Sequence, residues 1–329
     1  MFFKCLPVLI LSQLLNLGTV LADERKQNQT QIPEVVVSVN DDRYLLTDRK
    51  NVLFGVYDPN KTFRQRDDMR LEHMFVFWQS LDKKNLRQKI RYAYQRGRIM
   101  MLTVEPFTRA ANWRDGGDRL FKDITQGKFD SEIVNVCSEL GRLPTTSLIR
   151  WGHEMEDPTG RYPWARHDAQ GYKLAFRYFA RTCRKYAPKA KFIWSPKGEK
   201  NLADYYPGDD HVDIIGVSLW GLEKMDIDYY GGRRAFRSTF NEKYNRVSRF
   251  GKPVIVAELG VSGTKAYRKR WFHDLFKSLN NNHEFKLLRA VVLFNDKEPH
   301  HWPKGYGSPD WRVSQKWFSF LKQTSHEMY

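Results

Sequence analysis

Leu148-Ile149-Arg150-Trp151-Gly152-His153-Glu154-Met155 is a short apolar run that ends by delivering an arginine, a histidine and a glutamate. A strand that merely fills a core has no use for those three. About a hundred residues later Lys252-Pro253-Val254-Ile255-Val256-Ala257-Glu258-Leu259-Gly260 repeats the pattern, an apolar stretch of strand length closed by one carboxylate. If both strands belong to one parallel barrel, both glutamates open onto its C-terminal face, the end at which such barrels carry their chemistry.

Working outward from these two segments, short apolar runs alternate with amphipathic stretches. The expected strands are 52–57, 74–78, 99–105, 148–154, 192–196, 212–219, 253–258 and 289–294. The expected helices are 83–96, 131–140, 169–186, 235–250, 267–280 and 314–322. Gly97, Gly141 and Gly251 each follow a helical stretch and precede a strand, as helix-closing glycines do. Repeated strand-then-helix units with near-continuous apolar strands imply a parallel sheet, and eight of them imply an α/β fold with a single (β/α)8 TIM barrel. The spacing divides the chain into residues 1–22, residues 23–51 and a barrel over 52–329.

Residues 1–22 read as a secretory signal: Lys4, an apolar run from Leu6 to Leu17, then Val20-Leu21-Ala22 with cleavage after Ala22. The apolar run is too short for a membrane span. Residues 23–51 read as a polar leader and N-terminal extension. Export would place the mature chain outside the cytoplasm, secreted or periplasmic.

The formal charge is +17, carried by Lys and Arg spread along the helices. Such a surface attracts anionic polymers or cell surfaces. No nucleic-acid module accompanies it, so nucleic acid is not expected as a partner. Cys137 and Cys183 lie inside helical patterns and read as small buried hydrophobes in preference to a bridge. Neither has metal-ligand spacing with a histidine, so no metal and no cofactor are expected.

Trp78, Glu105, Trp220 and Asn295 fall at or just after other strand ends, and Tyr162 and Trp164 follow the first glutamate. Aromatic faces stack on sugar rings while carboxylates and amides bind hydroxyls, so this gathering points to a carbohydrate cleft. Two facing carboxylates are the minimum apparatus for cleaving a glycosidic bond. Strand alternation puts Arg150, Gly152 and Glu154 on one face, and Val254, Val256 and Glu258 on one face of the other strand. Arg150 inside a barrel needs a partner, and Glu258 is the candidate. A carboxylate beside Arg150 is expected to stay ionised, and one against aromatic walls to be pushed toward its protonated form.

Arg150-Trp151-Gly152-His153-Glu154-Met155 with Tyr162-Pro163-Trp164 resembles the acid/base segment of glycoside hydrolase family 26, whose relatives include β-mannanases, mixed-linkage β-glucanases and β-1,3-xylanases. Residues 253–260 are similar to the family's nucleophile strand. Supporting similarity runs through residues 102–106, 123–130, 205–209 and 212–216. The resemblance implies Glu154 as acid/base, Glu258 as nucleophile, His153 beside the acid, and retention of anomeric configuration. The chain departs from the family's pattern in three ways: Glu156 and Asp157 stand where Asn usually follows His-Glu-Met, Arg161 replaces a tryptophan, and Trp220 replaces a tyrosine. These changes surround the bond to be cleaved and bear on the substrate. The expected activity is an exported retaining endo-β-glycosidase acting on a β-linked polysaccharide of mannan or β-glucan type, an exopolysaccharide among the candidates. The alternative is a noncatalytic polysaccharide-binding or export-accessory protein that keeps the cleft.

Overall fold

The computed structural model describes residues 52–280 and 284–324. The expected signal and leader, residues 1–51, lie outside the described residues.

Eight parallel strands close into a barrel in sequence order: β1 Leu53–Tyr57, β2 Met69–Phe77, β3 Ile99–Glu105, β4 Ser147–Trp151, β5 Ala190–Trp194, β6 Ile214–Leu222, β7 Val254–Ser262 and β8 Leu288–Phe294, with β8 pairing back onto β1. Around them run α1 Lys83–Tyr94, α2 Leu120–Thr125, α3 Asp130–Leu140, α4 Ala169–Arg184, α5 Glu223–Tyr230, α6 Phe236–Val247, α7 Lys265–Asn280 and α8 Gln315–Thr324. The eight-stranded barrel expected from the spacing is the observed fold. The short helices α2 and α5 were not anticipated, because neither is long enough to show a helical period.

Alternation along the strands sorts the core into two layers. Leu71, Ile99, Met101, Leu148, Ile193, Ile214, Ile255, Ala257, Ala290 and Val292 form one cluster inside the barrel. A larger cluster fills the space between strands and helices. Helix α4 illustrates the outer layer: Tyr172, Ala175, Phe176, Phe179, Ala180 and Cys183 recur at helical spacing and are buried. Its first turn is capped by Asp168, which accepts from the Gly171 amide at 2.7 Å. The buried face covers Trp151, whose ring stacks on Phe179 at 5.4 Å. Truncating Phe179 to alanine would cost about 3–5 kcal/mol. With Trp151 held outward, its neighbour Arg150 must face inward.

Cys137 of α3 and Cys183 of α4 form a disulfide, with Cα atoms 5.4 Å apart. This corrects the expectation of two separate buried thiols. Two helical patterns do not reveal that their cysteines meet, since the crossing of α3 and α4 is set by tertiary packing. Gly141 also departs from its expected role. Gly97 and Gly251 adopt the left-handed conformation of a helix stop, whereas Gly141 is helical and leaves room for the Tyr186 carbonyl, which a Cβ there would meet at 1.8 Å.

Candidate active site

Neither glutamate reaches the barrel mouth by simple alternation. Strand β4 ends at Trp151, and the next residues turn: Gly152 has φ +54° and Glu154 φ +53°. A left-handed glutamate is uncommon and is held only where its surroundings impose it. Here the Gly152 amide donates to the Val104 carbonyl at 3.2 Å and the Glu154 amide to the Ser195 carbonyl at 2.8 Å, anchoring the turn to β3 and β5. On β7, Val254 and Val256 face the helices, while Ile255 and Ala257 face the barrel interior. A bulge follows: Val256 pairs with Val291 but Leu259 with Leu293, three residues against two, and opposite β6 Val217 pairs with Val256 while Ser218 pairs with Glu258. The bulge re-aims Glu258 inward. This corrects the expectation that Val254, Val256 and Glu258 share a face.

Arg150 is fully buried and makes three directed contacts. Nη1 donates to Glu258 Oε1 at 2.5 Å, Nε to Ser195 Oγ at 2.8 Å and Nη2 to Ser218 Oγ at 3.1 Å. Ser218 Oγ also donates to Glu258 Oε1 at 3.3 Å. One carboxylate oxygen is thus fixed by a cation and a hydroxyl from two other strands. The part that Ser195 and Ser218 play in orienting Arg150 depends on the register of β4, β5 and β6, which no single strand records.

Burial pushes the Glu258 carboxyl up from its ordinary range; Arg150 opposes this, and the nearby Glu154 adds to it. The guanidinium therefore offsets desolvation without overcoming it, contrary to the simple expectation for an Arg neighbour. Glu105, at the end of β3, is pushed up to about 8, first by burial and then by Glu258. At neutral pH it carries its proton. His153 Nε2 lies 4.0 Å from Glu105 Oε1, and burial followed by the Arg150 charge holds the imidazole well below its usual pKa. His73, hydrogen-bonded through Nε2 to Thr103 Oγ1 at 2.7 Å, is held neutral for the same reasons. The site is therefore a buried group of carboxyls with one internal guanidinium and two neutral imidazoles.

Aromatic rings connect across this end of the barrel. Trp302 meets Trp220 at 6.2 Å, Trp220 meets Phe294 at 5.4 Å, Phe294 meets Phe75 at 6.2 Å, Phe75 meets His153 at 6.3 Å, and His153 meets Tyr162 at 5.1 Å. Tyr162 is stacked on Trp164 at 4.6 Å and touches Trp113 at 6.2 Å. Trp164, itself buried, donates from its indole nitrogen to the His153 carbonyl at 2.6 Å and so backs both Tyr162 and His153.

Of the residues singled out from the sequence, Arg150, His153, Glu154, Glu258, Glu105, Tyr162, Trp164 and Trp220 gather at this mouth. Trp78 and Asn295 do not serve it. Trp78 is buried in the outer layer, stacked on Phe129 at 4.8 Å with its indole donating to the Phe107 carbonyl. Asn295 is buried and donates to Asp58 Oδ1 at 3.0 Å while accepting from the Val313 amide at 2.6 Å, so its amide is used within the fold. The ring contacts of Phe75, Phe294 and Trp302 were not singled out from the sequence: period-two patterning does not set Phe75 and Phe294 apart from core, and Trp302 lies in the loop after β8.

Glu156 and Asp157 tie loops together. Glu156 Oε1 accepts from the Gly198 amide at 2.8 Å and Asp157 Oδ2 pairs with Lys197 at 3.0 Å, joining the loop after β4 to the loop after β5. Among the described residues no group of three His, Cys, Asp or Glu could hold a metal ion, and no helix is long and apolar enough to cross a membrane.

Residues 128–288 match the sequence profile of glycosyl hydrolase family 26. Endoglucanase H of Acetivibrio thermocellus is 24% identical over 271 residues, covering 77% of this chain and 27% of that protein. A β-1,3-xylanase, TXYA, of a Vibrio species is 25% identical over 200 residues, covering 55% of this chain and 42% of that one. The chain thus spans less than half the length of these relatives. Among solved structures, a family 26 β-mannanase from Bacteroides ovatus superposes with a TM-score of 0.62 at 16% identity, covering 86% of this chain and 92% of that one. A modular endo-β-1,4-mannanase from Cellulomonas fimi gives a TM-score of 0.63 at 13% identity, covering 87% and 73%. In sequence over residues 128–288, and in its barrel fold, the chain resembles glycosyl hydrolase family 26.

Proposed function

We propose that the protein is an exported glycoside hydrolase that cleaves internal bonds of a β-linked polysaccharide of mannan or glucan type by double displacement. The observation that carries this reading is the Arg150–Glu258 pair at the barrel mouth, with Glu154 turned toward the same mouth by a left-handed backbone. Glu258 attacks the anomeric carbon while Glu154 gives its proton to the departing glycosidic oxygen, which breaks the bond and leaves a glycosyl ester on Glu258. Glu154, now ionised, takes a proton from water; the oxygen attacks the anomeric carbon and Glu258 leaves with its electron pair. Arg150 and Ser218 hold the attacking carboxylate in line and stabilise it again as it departs. Retention follows from the two inversions.

Export is supported by the signal-like residues 1–22 and by the Cys137–Cys183 disulfide, a bond that persists in oxidising compartments. Internal cleavage is supported by aromatic rings on both sides of the carboxyls, from Trp302 to Trp113, which give a chain footing in two directions.

The test is a panel of purified mannans, β-glucans and β-1,3-xylan scored for new reducing ends. At least one should be cleaved into a ladder of oligosaccharides, and both Glu154→Gln and Glu258→Gln should lose that activity by at least a thousandfold. A panel in which either variant matches the parent protein would end the reading.

A further inference from the structure

The rim beside Glu154 is cationic as well as aromatic. The loops 106–119 and 158–167 carry Arg109, Arg114, Arg119, Arg161 and Arg166 against Asp115 and Asp118. Arg161 stands at the position where family 26 was expected to show a tryptophan. Its guanidinium sits 5.1 Å over the Tyr162 ring, one ring from His153. Arg114 sits 4.9 Å over Trp113, whose ring is 6.2 Å from Tyr162, and Arg166 donates through Nη2 to the Arg114 carbonyl. Three guanidiniums therefore border one aromatic platform.

Arg161 is exposed and, among the described residues, forms no ion pair. The carboxylates that act on it, Glu154, Glu258 and Glu298, lie beyond ion-pair reach, and Asp115 and Asp118 pair with neither Arg114 nor Arg161. Glu298 is itself engaged by the Trp311 indole at 3.1 Å. Elsewhere on the surface arginines are commonly paired, as Arg233 with Glu223 and Arg312 with Asp310 are. An exposed guanidinium held over an aromatic ring, with no ion pair among the described residues, matches a carboxylate on a bound sugar.

We infer that Arg161 makes this cleft selective for an acidic β-linked polysaccharide, pairing with a carboxylate on the sugar bound beside Glu154. The inference rests on the hydrolase reading above and narrows its substrate. The exposed Trp113 supplies the stacking face, the buried Tyr162 carries Arg161, Arg161 supplies the paired charge, and Arg114 and Arg166 supply the field that draws the polymer in. Basic residues elsewhere on the surface raise encounter with any polyanion; Arg161, close enough to feel Glu154, is placed to distinguish a carboxylated sugar from its neutral counterpart at the cleft.

Matched probes decide it: β-1,4-gluco- and manno-oligosaccharides and the same chains oxidised at C6 to uronates. Binding is measured by calorimetry at about 0.15 M salt, where the Debye length is about 8 Å, on protein carrying Glu154→Gln so that nothing is cleaved. The expected result is about tenfold tighter binding of the uronate in at least one pair, the scale of one charge-assisted hydrogen bond. Adding Arg161→Ala should bring the uronate-to-neutral ratio close to one, and Arg161→Glu should invert it. Lys185→Glu, the same charge change at the far end of α4, should leave it in place. No preference in any pair, a preference that survives Arg161→Ala, or an equal loss in Lys185→Glu overturns the inference. Cleavage by the parent protein separates the two claims. Unselective cleavage of neutral chains removes the acidic substrate and leaves the hydrolase, whereas Arg161-dependent uronate binding without cleavage of any chain removes the hydrolase and leaves the acidic site.

Discussion

Arg150 Nη1 lies 2.5 Å from Glu258 Oε1, with the guanidinium fully buried and the carboxylate nearly so. Two ions in a barrel interior stabilise little net, because desolvation offsets their attraction; removing one alone is expensive. Replacing Arg150 by Met should therefore lower stability by about 3–5 kcal/mol in denaturant unfolding. It should also move the acidic limb of the pH–rate profile upward. The sign follows from the chemistry: Glu258 attacks only when ionised, burial already pushes its pKa up, and Arg150 opposes that push. Activity disappears as pH falls through this pKa, so loss of the opposing charge shifts the limb to higher pH. An unmoved limb would mean that Glu258 does not set it.

Glu105 offers a stability test. Its carboxyl titrates near 8 in the fold and near 4.5 when unfolded, so between those values the folded chain keeps a proton that the unfolded chain has released. Stability contributed by the neutral group is whole below about 4.5 and is lost as pH rises through about 8. Thermal unfolding from pH 4.5 to 9 should show this decline, and Glu105→Gln, neutral throughout, should flatten it. A Glu105→Gln curve parallel to the parent's would assign the proton elsewhere.

The disulfide joins α3 and α4 across 46 residues. Loop-closure entropy alone assigns such a bridge about 4 kcal/mol. The double variant Cys137→Ala, Cys183→Ala should unfold at markedly lower temperature than the oxidised protein and become insensitive to reductant. Equal melting of parent and variant under oxidising conditions would show that the two thiols are not bridged.

The fold was largely legible because it is written in repeated units: each apolar run followed by an amphipathic stretch contributes one strand, and eight such runs leave few alternatives. The partnership of Arg150 with Glu258 was legible too, since a charge in a strand core needs its opposite. What could not be read was the route by which each carboxyl reaches the mouth. Period-two alternation assumes unbroken strands, whereas Glu154 arrives through two left-handed residues and Glu258 through a bulge. The same limit misplaced Trp78 and Asn295, whose neighbours in sequence lie at the mouth while their own side chains serve the fold. Ser195 and Ser218 are common residues whose roles depend on cross-strand register, which no single strand records.

The central claim is the division of labour between Glu154 and Glu258, and azide rescue tests it most directly. Each alanine variant is given a dinitrophenyl β-oligosaccharide of a cleaved polysaccharide, azide is added, and the anomeric configuration of the glycosyl azide is read by proton NMR. In Glu154→Ala the leaving group needs no proton, so the ester on Glu258 still forms and azide intercepts it to give the β-product. In Glu258→Ala no ester can form, and azide attacks the substrate itself from the vacated side to give the α-product. The account predicts β from the first variant and α from the second; the reverse pairing, or full activity without azide in either variant, would contradict it.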